Sequence, residues 1–376
     1  MKVAIVGGGP SGLYLAILLR RWDVTDQITV FEQNPKDATY GFGVALAEGA
    51  LNQFAAADPA SHDDLVKALY PANTQDIENP QGEVRLTFPG EMGTITRLTL
   101  LQVLQRHCDD LGVDVRYGER VENISQFDDF DLVVGADGAN SRIRTLMADD
   151  FGYSSQPLSN HFAWYGFTKA LPTALRFRRR GEDLFIAHYY PYTAERSTFL
   201  VEVDGPTWRG GFGALSDDER RAISEEVFAD ILAGGDIIEN KSNWTNFQTV
   251  ECTRWATDRV VLVGDAQYRG HFSIGSGTRL AMEDTIALAK ALKERESDIP
   301  TALAGYEAVR RPKKAILCGA AENSYNWYER VREIVDLPIE AFAYNFLTRT
   351  GRMPDERLRG YLPDFMARYD AFRAAS

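Results

Sequence analysis

The chain begins and ends its first reading with strands that alternate with helices, and a block of strands alone separates the two parts. Val3-Ala-Ile-Val6 is an unbroken apolar run suited to a strand buried on both faces, Leu13 to Arg21 has helical character, and Gln27 to Phe31 reads as a second strand. Helices are expected around 47–57 and at 63–69, then a strand at 85–88. Leu98, Leu101 and Leu104 put one buried stripe on a helix over 96–107. Strands follow at 113–117 and 132–134. The middle is different: 160–169, 174–180, 183–190 and 197–203 are rich in aromatic and β-branched residues and predict one antiparallel sheet, joined by the 85–88 strand. A buried strand from Arg259 and a helix over 279–292 restore the first pattern, and the tail is helical over 315–333, 338–348 and 355–374. The expected class is α/β with an inserted antiparallel sheet and helices at the end.

Three stretches carry candidate chemistry. Gly7-Gly-Gly-Pro-Ser-Gly12 is a G-x-G-x-x-G turn between the first strand and helix. Gly7 and Gly9 let the backbone turn and approach a pyrophosphate, Gly12 lets helix and strand pack, and the helix N-terminus aims N–H groups at the anion. Glu32 lies twenty residues beyond Gly12, placed to accept from ribose hydroxyls. This turn alone does not separate NAD from FAD. In the second stretch, Asp131 to Arg144, a buried strand runs into Asp137-Gly138, and Asp137 taken by itself reads as a helix cap. In the third, a buried strand delivers Gly264-Asp265 to a turn, and Gly275-Ser-Gly277-Thr278 opens a helix whose amides face negative charge. Arg97 starts a helix, where a cation opposes the dipole and an anion nearby would justify it. The Tyr40-Gly-Phe-Gly-Val44 loop suggests close approach to a ligand.

Composition narrows the partners. Lys plus Arg total 41 against 54 Asp plus Glu, a net charge of −13, which argues against nucleic acid or an anionic membrane. Any anionic ligand then needs a local basic patch. A chain of 376 residues with 44% hydrophobic residues buries a large core and is expected to divide into two domains. Cys108, Cys252 and Cys318 are scattered and odd in number, so free thiols are expected in place of disulfides or zinc. Glycines and Pro10 interrupt the first apolar run too early for a signal peptide, and no stretch approaches the roughly 18 apolar residues of a membrane span. The expectation is a soluble, cytoplasmic protein.

Together the three stretches, in this order and rough spacing, resemble the motifs of the single-component FAD aromatic hydroxylases of the p-hydroxybenzoate hydroxylase fold. The resemblance covers nearly the whole chain. A NAD dehydrogenase needs only the first motif, so the set favours FAD. The resemblance implies a Rossmann-like FAD-binding domain over 1–72, 96–157 and 250–320, an antiparallel β-sheet substrate domain over 73–95 and 158–249, and a C-terminal helical segment over 321–376. It implies that Gly7, Gly9, Gly12 and Glu32 hold the ADP part of FAD, that Arg97 and Asp265 contact the ribityl-pyrophosphate side, and that Asp137-Gly138 serve both FAD and NAD(P)H. Gln33, Val44, Gly275, Gly277 and Thr278 complete the expected cofactor contacts. Many of these hydroxylases carry a histidine and a proline after Gly-Asp-Ala, where this chain has Gln267-Tyr268 and then His271-Phe272. That variant, with Phe185-Ile-Ala-His188, Ser197 to Glu202, Asn323-Ser324 with Trp327, and Phe342 to Arg349, is similar to a narrower branch. The branch contains salicylyl-CoA 5-hydroxylase, 2-aminobenzoyl-CoA monooxygenase/reductase and a hydroxylase of violacein synthesis.

Such an enzyme would use NADH or NADPH and O2 to hydroxylate an electron-rich ring through a C4a-hydroperoxyflavin. A ring hydroxyl or amino group directs attack para, which selects carbon 5 of a salicylyl or 2-aminobenzoyl CoA thioester. A free aromatic acid or an indole or tryptophan-derived intermediate is the alternative, and an FAD protein that does not hydroxylate is a third reading. Trp164, Tyr165, Phe199 and Phe272 are candidate substrate liners, and His271, His188 and Tyr190 are candidate catalytic groups. Arg178, within Arg178-Arg-Arg180, or Arg310-Arg311 with Lys313-Lys314, are candidates for binding CoA phosphates. With no second glycine motif the nicotinamide is expected to bind transiently. Monomer and homo-oligomer both remain open.

Overall fold

The computed structural model describes residues 1–39, 41–89, 92–295 and 298–375. A five-stranded parallel sheet runs in the order Val260–Leu262, Leu132–Gly135, Lys2–Val6, Gln27–Glu32, Asp114–Tyr117. Its central strands are apolar at successive positions because helices cover both faces: Val3, Ala4 and Ile5 are fully buried, as are Leu132, Val133 and Val134. The helices Pro10–Arg21, Arg97–Asp110 and Gly277–Glu294 pack here. Thr96 caps the second of them by accepting from the Thr99 N–H.

The second sheet has eight strands. Pro157–Phe167, Ser197–Val203, Asp183–Pro191 and Ala174–Arg180 form its antiparallel centre, and Thr74–Asn79 and Gly82–Thr87 extend it. The 85–88 strand therefore joins through Thr74–Asn79, which pairs parallel with Ala174–Arg180. One face of this sheet packs on Phe212, Phe228 and the helix Asp217–Val227; the other meets the C-terminal helices through Phe177, Ile186, Phe342 and Phe346. The Asp217–Val227 helix escapes a reading by apolar period because it buries little, yet its capping box, Ser216 with Glu219, is a legible start signal.

Two elements depart from expectation. Gly43–Ala47 is a strand, paired antiparallel with Met92–Thr96, before the helix Glu48–Ala57 begins; Tyr40 of that loop lies outside the described residues. The helix stands where expected, and long-range pairing makes a strand of the glycine-rich segment read as a loop before it. The helix read as starting at 315 runs from Ile299 to Glu329 with Pro312 inside it. Its buried Arg310 and Lys314 both bond Asp284, at 2.8 and 2.6 Å, which ties this helix to Gly277–Glu294. Arg310 also reaches Glu283 at 3.2 Å, and Lys314 donates to Gln267. Gln267 thus belongs to a buried ion network beneath the third motif.

Among the described residues no helix is long and apolar enough to cross a membrane, and no His/Cys/Asp/Glu cluster could hold a metal ion. Cys108 and Cys252 are buried free thiols and Cys318 is half-buried.

Candidate active site

Two adjoining cavities open where the parallel sheet ends. The first, of about 330 Å³, is lined by the Gly7–Ser11 turn, Glu32, Gln33, Asp137, Gly138 and Arg142. The second, of about 760 Å³, lies between the Phe42–Ala45 segment, the inner face of the large sheet, the Phe272–Thr278 loop and the C-terminal helices. Arg97, Asp265, Gly277 and Thr278 border both. The three sequence motifs, far apart in the chain, therefore meet at one groove.

The first cavity is shaped by backbone. Gly7 has φ +111, and a Cβ there would lie 2.4 Å from the Ala136 carbonyl oxygen; a Cβ on Gly12 would lie 1.9 Å from that of Gly7. Strand, turn and helix can close on one another only with glycine at these two places. Gly9, Gly138 and Gly277 instead face open space, with nothing within 4 Å of where a Cβ would stand. Glu32 accepts the Gly8 N–H at 2.7 Å and the Asn34 N–H at 2.8 Å, so it pins the turn as well as lining the groove. Asp137 accepts from Ser141 Oγ at 2.6 Å and from the N–H groups of Arg142 and Ile143 at 2.6 and 3.1 Å, which is the capping role read from sequence. Burial pushes its carboxyl above the usual range despite those bonds.

At the border, Arg97 and Asp265 have no side-chain hydrogen bond to any described residue. Burial pushes the Asp265 carboxyl up, opposed by Arg269, Arg97 and Lys314. A half-buried carboxylate and guanidinium that sense each other's charge but make no side-chain hydrogen bond at a cavity wall are polar groups awaiting a ligand. The Gly277–Glu294 helix also begins without a side-chain cap, leaving its first N–H groups for an anion. Open glycines, an unpartnered acid and base and a bare helix start fit a long ligand with a pyrophosphate, a polyol and an anionic ring, as FAD has.

The second cavity corrects several expectations, and strand geometry is the reason. Side chains alternate across a strand, so neighbours cannot share a face. Trp164 lines the cavity with Phe162, Leu200 and Phe272; Tyr165 points the other way and its hydroxyl accepts from Trp244 Nε1 at 3.1 Å. Phe199 likewise packs on Phe167, Tyr189 and Phe228 behind the sheet. Arg178 lies outside the cavity, bonded to Glu78 at 2.8 Å and to Asp230 at 2.5 Å, while Arg176, Arg179 and Arg180 also meet carboxylates. Arg310 and Lys314 are held by Asp284, and Arg311 is paired with Glu307. Apart from the exposed Lys313, the cations of the runs chosen for phosphate are thus already paired with carboxylates.

Of the three candidate catalytic groups, His188 alone lines the cavity with its ring paired to a carboxylate. Its Nε2 stands 3.0 Å from Glu202 Oε2, and Glu202, 1% exposed, also accepts from Asn160 Nδ2 at 2.8 Å. His271 does not line the cavity. Its Nδ1 faces Ser273 Oγ at 2.8 Å and caps the Phe272–Ile274 turn, its ring stacks on Phe272, and burial pushes its pKa down to about 3. Tyr190 borders the cavity, but its hydroxyl donates to the Gly43 carbonyl at 2.8 Å and burial raises its pKa to about 12. It fastens the Gly43–Ala47 strand to the large sheet.

Glu202, Arg269, Tyr328 and Arg349 were not picked out as site residues, and the second cavity or its base holds all four. Only Glu202 had a signal: the one charge in the strand Ser197–Val203, at the same parity as Leu200.

Residues 129–318 match the FAD binding domain family. The chain is 39% identical to salicyloyl-CoA 5-hydroxylase of Streptomyces sp, over 93% of this chain and 70% of that protein. It is 35% identical to 3-hydroxy-4-methyl-anthranilyl-[aryl-carrier protein] 5-monooxygenase of Streptosporangium sibiricum, over 94% and 95% of the two. Among solved structures, the tetrameric form of 2-methyl-3-hydroxypyridine-5-carboxylic acid oxygenase shares the fold, with a TM-score of 0.73 at 18% identity over 95% of both chains.

Proposed function

The chain belongs to the FAD binding domain family and is a flavin-dependent aromatic hydroxylase; from that premise we propose that it uses NADH or NADPH and O2 to hydroxylate carbon 5 of an aryl thioester of the salicylyl or 2-aminobenzoyl type. The observation that carries this reading is the largely apolar second cavity with one imidazole–carboxylate pair, His188 and Glu202 at 3.0 Å, in its wall. The two relatives are named for a CoA ester and for an acyl group on a carrier protein, both thioesters, and for attack at carbon 5.

When bound, FAD supplies the redox and oxygen-transfer chemistry, and the protein's task is placement and charge. In this proposal Gly7, Gly9, Gly12, Glu32 and Gln33 hold the adenosine diphosphate. Arg97 and Asp265 take the ribityl and pyrophosphate oxygens, which would give each the partner it lacks. The Gly277 helix start stabilises negative charge on the flavin ring beside Val44, Gly275 and Thr278. Asp137-Gly138 shape the entry shared with the nicotinamide. Domains divide accordingly, with 1–72, 96–157 and 250–320 around FAD, 73–95 and 158–249 forming the substrate sheet, and 321–376 closing it.

Trp164 and Phe272 hold the substrate ring and exclude water. His188 takes the proton of a ring hydroxyl, which strengthens electron release to the para carbon, and Glu202 fixes the imidazole for that transfer. The test combines substrate and variant. Holoenzyme is assayed for NADH or NADPH consumption with salicylate, 2-aminobenzoate and their CoA thioesters, and the product is analysed after reaction under labelled O2. A thioester should stimulate consumption and carry the label at carbon 5. Glu202→Gln should lower kcat about a hundredfold with FAD content and KM nearly unchanged. Consumption stimulated only by free acids, or unlabelled product, would overturn the thioester hydroxylase reading; full turnover in Glu202→Gln would remove the proton pair from it.

A further inference from the structure

Arg349 is a charge at the C-terminal-helix end of the second cavity that no described carboxylate pairs. It follows the helix Ile339–Thr348 and lines the cavity, and its guanidinium donates only to neutral acceptors: Ser324 Oγ at 3.0 Å, the Phe346 carbonyl at 2.7 Å and the Ser273 carbonyl at 2.8 Å. It also lies over the Phe346 ring, 3.8 Å from its centroid. Among the described residues no carboxylate pairs with it, whereas Arg176, Arg178, Arg179, Arg180, Arg310 and Arg311 each have one. A cation after a helix C-terminus gains something from the dipole, but a residue doing only that work sits well in water. Holding it half-buried against the cavity wall costs more than the dipole returns unless a negative partner arrives.

A second polar group points to the same place. Tyr328 is 1% exposed and lines the cavity, and its hydroxyl makes no hydrogen bond to a described residue while feeling the charges of Arg349 and Glu202. The Arg349 guanidinium lies 5.9 Å from the Tyr328 ring and the His188 ring 5.3 Å from it. Arg349 bonds at Nε and once at each terminal nitrogen, so each terminal nitrogen keeps an N–H to donate. Guanidinium groups are donors only.

We propose that Arg349 and Tyr328 form an oxyanion site for the substrate ring, which takes a phenolate oxygen ortho to the acyl carbonyl and so selects a 2-hydroxyaryl over a 2-aminoaryl thioester. This rests on the hydroxylase reading above and decides between its two ring types. A phenolate and the adjacent carbonyl present a pair of acceptors to the two free N–H groups. An ortho amino group presents donors, and leaves the half-buried charge unanswered. His188 removes the proton; Arg349 and Tyr328 hold the oxygen that has lost it. The carboxylate of a free 2-hydroxy acid carries the same chemistry, so both sources enter the test.

The experiment uses holoenzyme and three probes: salicylyl-CoA, 2-aminobenzoyl-CoA and free salicylate. Binding is followed by the ultraviolet difference band of phenolate against phenol at constant pH, and turnover by steady-state kinetics. Wild type should bind salicylyl-CoA as phenolate at a pH where the free thioester is a phenol. Its kcat/KM should favour salicylyl-CoA over 2-aminobenzoyl-CoA by roughly tenfold to a hundredfold, the range expected for a hydrogen bond to a charged group. Arg349→Met should lose the phenolate band and raise KM for salicylyl-CoA by a similar factor, with a much smaller change for 2-aminobenzoyl-CoA. Arg349→Lys should restore part of both. Tyr328→Phe, which keeps the ring and its packing, should weaken the band without loss of FAD. A phenolate band with salicylate in place of the thioester assigns the oxyanion to a carboxylic acid substrate and overturns the thioester form. An equal loss for both thioesters in Arg349→Met and in Tyr328→Phe, or an unchanged band, overturns the oxyanion site. If no probe stimulates turnover in wild type, the hydroxylase substrate reading fails, and the binding band alone decides the oxyanion site.

Discussion

His271 offers a clean measurement because its burial has a sign and a size. The imidazole is 4% exposed, and its pKa falls from 6.5 to about 3 through burial first, then through His188, Arg269 and Arg349. The folded protein therefore holds a neutral imidazole where the unfolded chain, below pH 6.5, binds a proton. The unfolded state gains protons as pH falls, so this residue's contribution to stability is fully present above pH 6.5 and declines toward pH 3. Between pH 7.5 and pH 5.0 the decline covers about 1.5 pH units, or about 2 kcal/mol at 1.36 kcal/mol per unit. His271→Asn keeps a side-chain acceptor for the Ser273 N–H, since asparagine caps turns well, and removes the titration. Urea unfolding of wild type and variant holoenzyme at the two pH values isolates the effect from the carboxylates common to both. The variant should lose about 2 kcal/mol less than wild type on acidification. Because His271 does not line the cavity, its kcat should stay within about tenfold of wild type. Equal acid losses in the two proteins, or a kcat collapse with FAD retained, would refute the buried capping role and return His271 to the chemistry.

Two further outcomes follow from contacts already described. Gly12→Ala places a Cβ 1.9 Å from the Gly7 carbonyl oxygen, so the purified variant should be colourless or weakly yellow, with stability reduced by about 3 kcal/mol or more; normal FAD content with a Tm within about 2 °C of wild type contradicts this. Arg178→Glu sets like charges beside Glu78 and Asp230 and should cost about 2 kcal/mol of stability with KM for a CoA thioester unchanged, so a raised KM would return that basic run to substrate binding.

What the sequence determined by itself is whatever depends on neighbouring residues. The glycine turn at 7–12, the buried strands ending at Asp137 and Asp265, and the helix start at Gly277 are set by local backbone geometry, and their order identified the cofactor class. The central strands of the large sheet were likewise legible from their aromatic and β-branched runs, three of the four almost to the residue and the first, Pro157–Phe167, shifted by two or three. Strand parity was also legible, and it would have excluded Tyr165 once Trp164 was accepted as a liner. Only tertiary structure decided which charges are spent and which are free. Arg178, Arg310 and Arg349 look alike in a sequence, but Arg178 meets Glu78 a hundred residues away, Arg310 meets Asp284 on another helix, and Arg349 meets backbone carbonyls and a serine. His271 and His188 differ in the same way: one is capped into a turn, the other is aimed by a carboxylate on the next strand. A side chain's charge is local, but whether that charge is neutralised depends on what the fold packs against it, and burial makes that difference worth several kcal/mol.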